Sequence, residues 1–158
     1  GRRSVVKDIF SLDRSLPVAV AGDSVTLVLS DDMDVSRGDL LVDPSLAPRS
    51  TKAIAACVCW LSDAPLDARA AHASRFVLKH TTRSVKARLV AIDHRVEINT
   101  LRKQVSPAGL AMNDMAQVSL ALGQPLFVDP YRLNRATGSF ILIDEASHHT
   151  VAAGMIDR

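Results

Sequence analysis

Between Ser84 and Ile92 the chain alternates strictly, with Val85, Ala87 and Leu89 separated by Lys86 and Arg88. An amphipathic helix repeats its apolar residues every three or four positions, so a period of two predicts a strand with one buried and one charged face. Related patterns recur. Val25, Leu27 and Leu29 follow the Gly22-Asp23 turn, and Phe76-Val77-Leu78, Met115 to Leu122, Ser139 to Asp144 and Thr150 to Ile156 are further runs of strand character. The last two predict a closing hairpin across a loop holding Glu145, Ser147 and His148. Many short strands with turn signals between them predict an all-β chain that closes as a Greek-key barrel.

The strands fall into two groups. Ser4 to Leu41 contains a few short ones, broken by the acidic turn Ser30-Asp31-Asp32-Met33-Asp34 and by Arg37-Gly38-Asp39 before Leu40-Leu41-Val42. These are too few to close a barrel. Asp43 to Ser50 carries two prolines and no periodicity, which places a boundary there. The expected organisation is the C-terminal part of one barrel over residues 1–46, a linker over 47–50, and a complete barrel over 51–158. Within the second, Ala53 to Leu61 is continuously apolar, which predicts a strand covered on both faces. Pro65 to Ser74 is Ala-rich and predicts a helical turn or two. Val96, Ile98 and Leu101 extend the β pattern as far as Ser106-Pro107-Ala108-Gly109. Gly123-Gln124-Pro125 separates Met115–Leu122 from the short run Leu126-Phe127-Val128, which stops at Asp129-Pro130.

Several function classes are excluded by spacing. The seven glycines of this 158-residue chain are never closer than the 14 positions between Gly109 and Gly123. A Walker A loop needs glycines five apart and a dinucleotide fingerprint needs three within six residues, because backbone amides must approach phosphate without a Cβ in the way. Neither loop can form here. No apolar run approaches the roughly 18 residues of a spanning helix. Cys57 and Cys59 would stand about 6–7 Å apart at Cβ on a strand, too far for a disulfide, and read as reduced thiols. With no leader-like start, the expected compartment is cytoplasmic. The net charge is +2, but residues 1–50 hold 6 basic and 8 acidic side chains against 13 and 9 in residues 51–158.

Two stretches carry a family resemblance. Ala19-Val20-Ala21-Gly22-Asp23-Ser24-Val25 with Val35-Ser36-Arg37-Gly38-Asp39 resembles the end of the second domain of translation-factor-type GTPases. Ala136 to Asp144 with Thr150 to Ile156 resembles the end of their third domain. Leu78-Lys79-His80-Thr81-Thr82-Arg83, Asn99-Thr100-Leu101, and Asp129-Pro130-Tyr131 through Asn134-Arg135-Ala136-Thr137-Gly138-Ser139-Phe140 are similar to the large, GTP-binding subunit of bacterial ATP sulfurylase, over almost the whole chain.

The resemblance implies a parent that couples GTP hydrolysis to forming adenosine 5′-phosphosulfate from ATP and sulfate. It places GTP and Mg in an N-terminal domain outside this sequence and adenylyl transfer in a separate small catalytic subunit; some members continue into an adenylylsulfate kinase domain. The expected role of this chain is therefore non-catalytic: positioning the GTPase domain and docking the catalytic subunit. No catalytic, cofactor or metal residue is assigned.

The candidates for partner binding are His80, Thr81, Thr82, Arg83, Lys86, Arg88, Asn134 and Arg135. Arg75 to Lys103 holds eight Lys/Arg against Asp93 and Glu97, a local excess of one sign that steers and docks acidic surfaces. The competing reading is a solvated barrel face. His80 to Arg83 offers an interface edge or merely a strand end. Asn134-Arg135 could hold a partner carboxylate in the Arg fork or cap its own turn. Cys57, Cys59, His148 and His149 have zinc-type atoms but lack paired-cluster spacing. The alternative function is an RNA-binding barrel pair of a translation-factor GTPase. Phe10, Phe76, Phe127 and Phe140 all lie in apolar strands, which leaves few rings to stack on bases.

Overall fold

The computed structural model describes residues 2–69, 73–105 and 107–157. The chain divides into two compact units, Gly1–Ser45 and Leu46–Arg158.

In the first unit, β1 (Val6–Ser11), β2 (Arg14–Ser15) and β3 (Thr26–Leu29) form an antiparallel sheet in the order β2-β1-β3. Phe10 pairs with Ser15 on one side and Thr26 on the other. Gly22 supplies the left-handed residue of the turn before β3, with φ of 101°, and Asp23 closes that turn by accepting the Val20 amide at 2.9 Å. None of the described side chains in this unit is fully buried. Leu40, Leu41 and Val42 form no strand and are exposed.

The second unit opens at β4 (Arg49–Trp60) and continues through β5 (Leu66–Asp67), β6 (Phe76–His80), β7 (Arg83–Val96), β8 (Lys103–Val105), β9 (Gly109–Leu110), β10 (Met115–Val128), β11 (Ser139–Asp144) and β12 (Thr150–Ile156). The order β10-β4-β12-β11-β6-β7 is closed by an antiparallel pairing of β7 back onto β10. Six strands therefore make a barrel without open edges, which is how an all-β chain removes unpaired amides. The all-β fold class and the barrel read from the sequence are observed.

Alternation fills the interior. Ile54, Ala56, Val58 and Trp60 of β4, Val85, Ala87 and Leu89 of β7, and Ala116, Val118, Leu120 and Leu122 of β10 are buried. Trp60 meets Phe76 edge to face at 6.3 Å between ring centroids and donates its indole N–H to the Ala64 carbonyl at 3.0 Å, so its polar edge is satisfied.

Four local expectations are corrected. The apolar run in β4 is not covered on both faces: Ala53, Ala55, Cys57 and Cys59 face outward and stay partly or fully exposed. Pro65 to Ser74 makes no helical turn over its described part; Leu66 pairs with Leu110 and Asp67 with Gly109, because Leu66 is buried by joining a small ladder, and residues 70–72 lie outside the described residues. The β pattern stops at Val96, and Ile98 and Leu101 sit exposed in a turn where Leu101 has φ of 55°. Gly123-Gln124-Pro125 does not end a strand. β10 runs through it, with an irregularity in its pairing to β4 between Ala121 and Leu126.

Candidate partner-binding face

Two regions carry the candidates, a basic wall on β6 and β7 and a loop between β10 and β11. On the wall, Lys86 pairs with Val77 and Lys79 with Ser84, while Arg88 pairs with Ala121 across the barrel seam. Inward Val85, Ala87 and Leu89 force Lys86 and Arg88 outward, and both are exposed. The structure thus places these two on one open face. Lys86 Nζ lies 3.2 Å from Glu145 Oε1. Glu145 is delivered by the β11–β12 turn, where its amide donates to the Arg75 carbonyl at 3.1 Å.

Arg75, Lys86, Arg88 and Glu145 rim a cavity of about 280 Å³ whose walls include Ala87, Ala121 and Gly123. The cavity lies where the β10–β7 ladder ends at Leu122 and Ala87, and on its other side β10 bulges against β4. Ala121 pairs with Ala53 and Leu126 with Thr51, so four residues of β10 oppose only Lys52 of β4. Such insertions bend a strand and re-aim its neighbours. Gly123 then stands beside Lys86 with no side chain to fill the gap.

Asp144, at the start of the same turn, accepts from the Ser147 amide at 2.7 Å, the Ser147 hydroxyl at 2.8 Å and the Ala146 amide at 3.2 Å. Those bonds, led by the Ser147 amide, hold its carboxyl below the ordinary carboxylate value.

His80 and Arg83 close the β6–β7 hairpin as a pair around Thr81-Thr82, with Thr81 at φ of 50°. Thr81 and Thr82 are exposed and Arg83 is half-buried. His80 is not at the surface. It follows Phe76 and Leu78 in inward parity, is 3% exposed, and its Nε2 lies 2.8 Å from the Thr137 carbonyl oxygen. It therefore tethers the hairpin to the 129–139 loop.

That loop is bonded largely to itself. Asp129 accepts the Thr137 hydroxyl at 2.5 Å, and the Asp129 amide donates to the Thr137 carbonyl at 3.2 Å. Asn134 Oδ1 accepts the Ala136 amide at 3.1 Å, so its side chain caps its own turn. The Arg135 guanidinium lies 5.9 Å from the Tyr131 ring centroid, a cation–π distance. The Asp-Pro-Tyr and Asn-Arg-Ala-Thr-Gly-Ser-Phe segments, separate in the sequence, are one folded element. The side chains of Asn134 and Arg135 thus engage their own loop, whereas Lys86 and Arg88 belong to the barrel wall.

Cys57 and Cys59 are free thiols, and burial, then Asp157 and then Cys59 push the Cys57 thiol up. Among the described residues no group of three or more His, Cys, Asp or Glu is placed to hold a metal ion, and no helix is long and apolar enough to cross a membrane. Sequence reasoning missed Gly123 and Glu145. Both reach the face through cross-strand register, which no local pattern carries.

With this geometry established, comparison with known proteins decides the family. Residues 53–157 match the model of the GTP-eEF1A C-terminal domain-like family. The chain belongs to this family. Sulfate adenylyltransferase subunit 1 of Shewanella woodyi is 43% identical over 155 residues, covering 98% of this chain and 32% of the relative. That of Tolumonas auensis is 39% identical over 156 residues, covering 99% and 32%. The bifunctional enzyme CysN/CysC of Mycobacterium tuberculosis is 42% identical over 135 residues, covering 85% and 22%. The resemblance to the large subunit of the sulfurylase is thus shown across nearly the whole chain, and the chain spans a third or less of these curated relatives. A crystal structure of Sup35 complexed with GDP superposes with a TM-score of 0.80 at 20% identity, over 98% of this chain and 37% of that one. At that identity the likeness speaks for the fold alone.

Proposed function

We propose that this chain is the non-catalytic β-barrel region of the large subunit of a sulfate adenylyltransferase. In that reading the barrels position a GTPase domain and dock the small catalytic subunit through the β6–β7 wall, within a cytoplasmic sulfate-assimilation enzyme. GTP and Mg belong to the GTPase domain. The observation that carries it is the pairing of whole-chain similarity to sulfate adenylyltransferase subunit 1 with a closed barrel that turns Lys86 and Arg88 outward on one face. A rigid barrel with an oriented charged face suits steering and register of a partner.

Coupling of nucleotide state to adenylyl transfer would run through such a rigid contact, provided the GTPase domain has two arrangements that the contact distinguishes. The RNA-binding alternative has less support. Trp60, Phe76 and Phe140 are buried, Phe10 and Tyr131 are half-buried with Tyr131 against Arg135, and only Phe127 is exposed, where stacking platforms use several open rings.

The test is sedimentation velocity of the chain mixed with the small catalytic subunit of a sulfate adenylyltransferase. A complex of the two supports the reading. Free sedimentation of both at tens of micromolar contradicts it.

A further inference from the structure

The cavity beside Lys86 has features that a merely solvated face does not require. Three cations, Arg75, Lys86 and Arg88, and one anion, Glu145, share its rim, so it carries a net charge of +2 on that lining. Among the described residues, the only carboxylate within ion-pair distance of these three cations is Glu145, on Lys86. The β10–β7 ladder ends at Leu122 and Ala87 beside the space, and Gly123 brings no side chain into it. Nothing in the backbone compels that glycine. Its φ lies outside the left-handed region, and a Cβ there would meet only Lys86, at 3.5 Å from its Cβ and its carbonyl oxygen, which is ordinary contact. A Cβ at 123 is sterically acceptable to the fold, at a residue that lines the cavity.

From this we infer that the Arg75–Lys86–Arg88 cavity is a receptor for a carboxylate side chain of an acidic segment on the partner protein, with Glu145 as the internal occupant that the incoming carboxylate displaces from Lys86. The inference rests on the docking reading above for the identity of the partner, and the binding chemistry stands on the cavity itself. Guanidinium groups hold carboxylates through two parallel N–H···O bonds, and Arg75 and Arg88 supply two such forks around one lysine. A volume of about 280 Å³ admits a carboxylate with its methylene stem. Glu145 occupies one of three cationic positions, which keeps the free face from holding three uncompensated charges together.

The probe is a fluorescein-labelled hexaglutamate peptide, with hexaglutamine as the uncharged control, followed by anisotropy against the 158-residue chain. Saturable binding of hexaglutamate alone is expected. Gly123→Leu, which changes no charge, should weaken it at least tenfold, and Gly123→Ala should leave it within twofold. Glu145→Gln should tighten it severalfold, because the competing carboxylate is gone. Thermal midpoints of all three variants report whether each is folded. Wild-type affinity in a folded Gly123→Leu variant would overturn the inference, since diffuse charge would then account for binding, and so would weaker binding by Glu145→Gln. Displacement of the peptide by inorganic phosphate or by an RNA oligonucleotide at equal or lower concentration would also overturn it, by showing a phosphate site. Subunit association that persists in Gly123→Leu removes the cavity but leaves the docking reading. Peptide binding without subunit association does the reverse.

Discussion

His80 Nε2 and the carbonyl oxygen of Thr137 are 2.8 Å apart in a site where both residues are buried, joining the tip of the β6–β7 hairpin to the loop that precedes β11. The same carbonyl also accepts the Asp129 amide, so it is not orphaned when the imidazole is removed. His80→Ala should therefore cost about 1–3 kcal/mol, from one buried hydrogen bond and the space left by the ring. Denaturant unfolding measures it. Binding to any partner should be unaffected in the folded fraction.

Gly138 and Gly154 predict unequal costs for the same substitution. A Cβ on Gly138 would run into the backbone of Tyr131 and of Asn134, whereas one on Gly154 would meet the ring of Phe140. Backbone held by the Tyr131 amide bond to Ile156 at 2.8 Å yields less than a ring does. Gly138→Ala should destabilise more than Gly154→Ala, with Gly154→Ala costing about 1–3 kcal/mol by overpacking. Thermal midpoints rank the two.

Asp144 gives a pH dependence with a definite sign. Its carboxyl is held below the ordinary 3.8 by the Ser147 amide and hydroxyl, so the folded state binds its proton less readily than the unfolded chain. The stabilisation is fully present above that ordinary value and is lost as pH falls through the lower folded one. Asp144→Asn should flatten this part of the acid limb in denaturant midpoints taken from about pH 5 down to about pH 2, and should change little near neutral pH beyond the loss of the cap itself.

Local stability should follow the two sheets. Val85–Ile92 and Phe140–Ile143 belong to a closed barrel, while Val25–Leu29 belongs to or borders an open three-stranded sheet with no fully buried side chain. Unpaired edges and shallow burial lower the free energy of local opening. Hydrogen exchange should be slower at the first two segments than at the third, and equal protection would contradict the proposed organisation.

Legibility in the sequence varied with what each residue depends on. Val85, Ala87 and Leu89 declare their strand because polar residues separate them, whereas β4 hides its two faces: Ala53, Ala55, Cys57 and Cys59 point out, yet are as apolar as Ile54 and Val58. Large side chains at inward Ile54, Val58 and Trp60 against only small ones at outward Ala53, Ala55, Cys57 and Cys59 was the signal available. His80 shares even parity with buried Phe76 and Leu78, so its inward aim was readable, and the chemical appeal of His-Thr-Thr-Arg obscured it. The meeting of Asp129 with Thr137, or of Gly123 with Lys86, depends on pairing across strands and on a bulge, which local periodicity does not encode.

The proposed docking of a small catalytic subunit through the β6–β7 wall is open to direct measurement in the association rate constant of Lys86→Glu/Arg88→Glu. Both side chains are exposed, and among the described residues they make one ion pair, Lys86 with the partly exposed Glu145, so folding should change by no more than about 1 kcal/mol. Steering depends on the sign of charge, so at low salt the rate should fall by about tenfold, with the gap to wild type narrowing as salt screens the field. Stopped-flow mixing with the small catalytic subunit at two salt concentrations, alongside the thermal midpoint, should show that slowed rate at an unchanged midpoint. An unchanged rate in the folded double variant would contradict docking through this wall and leave it a solvated face.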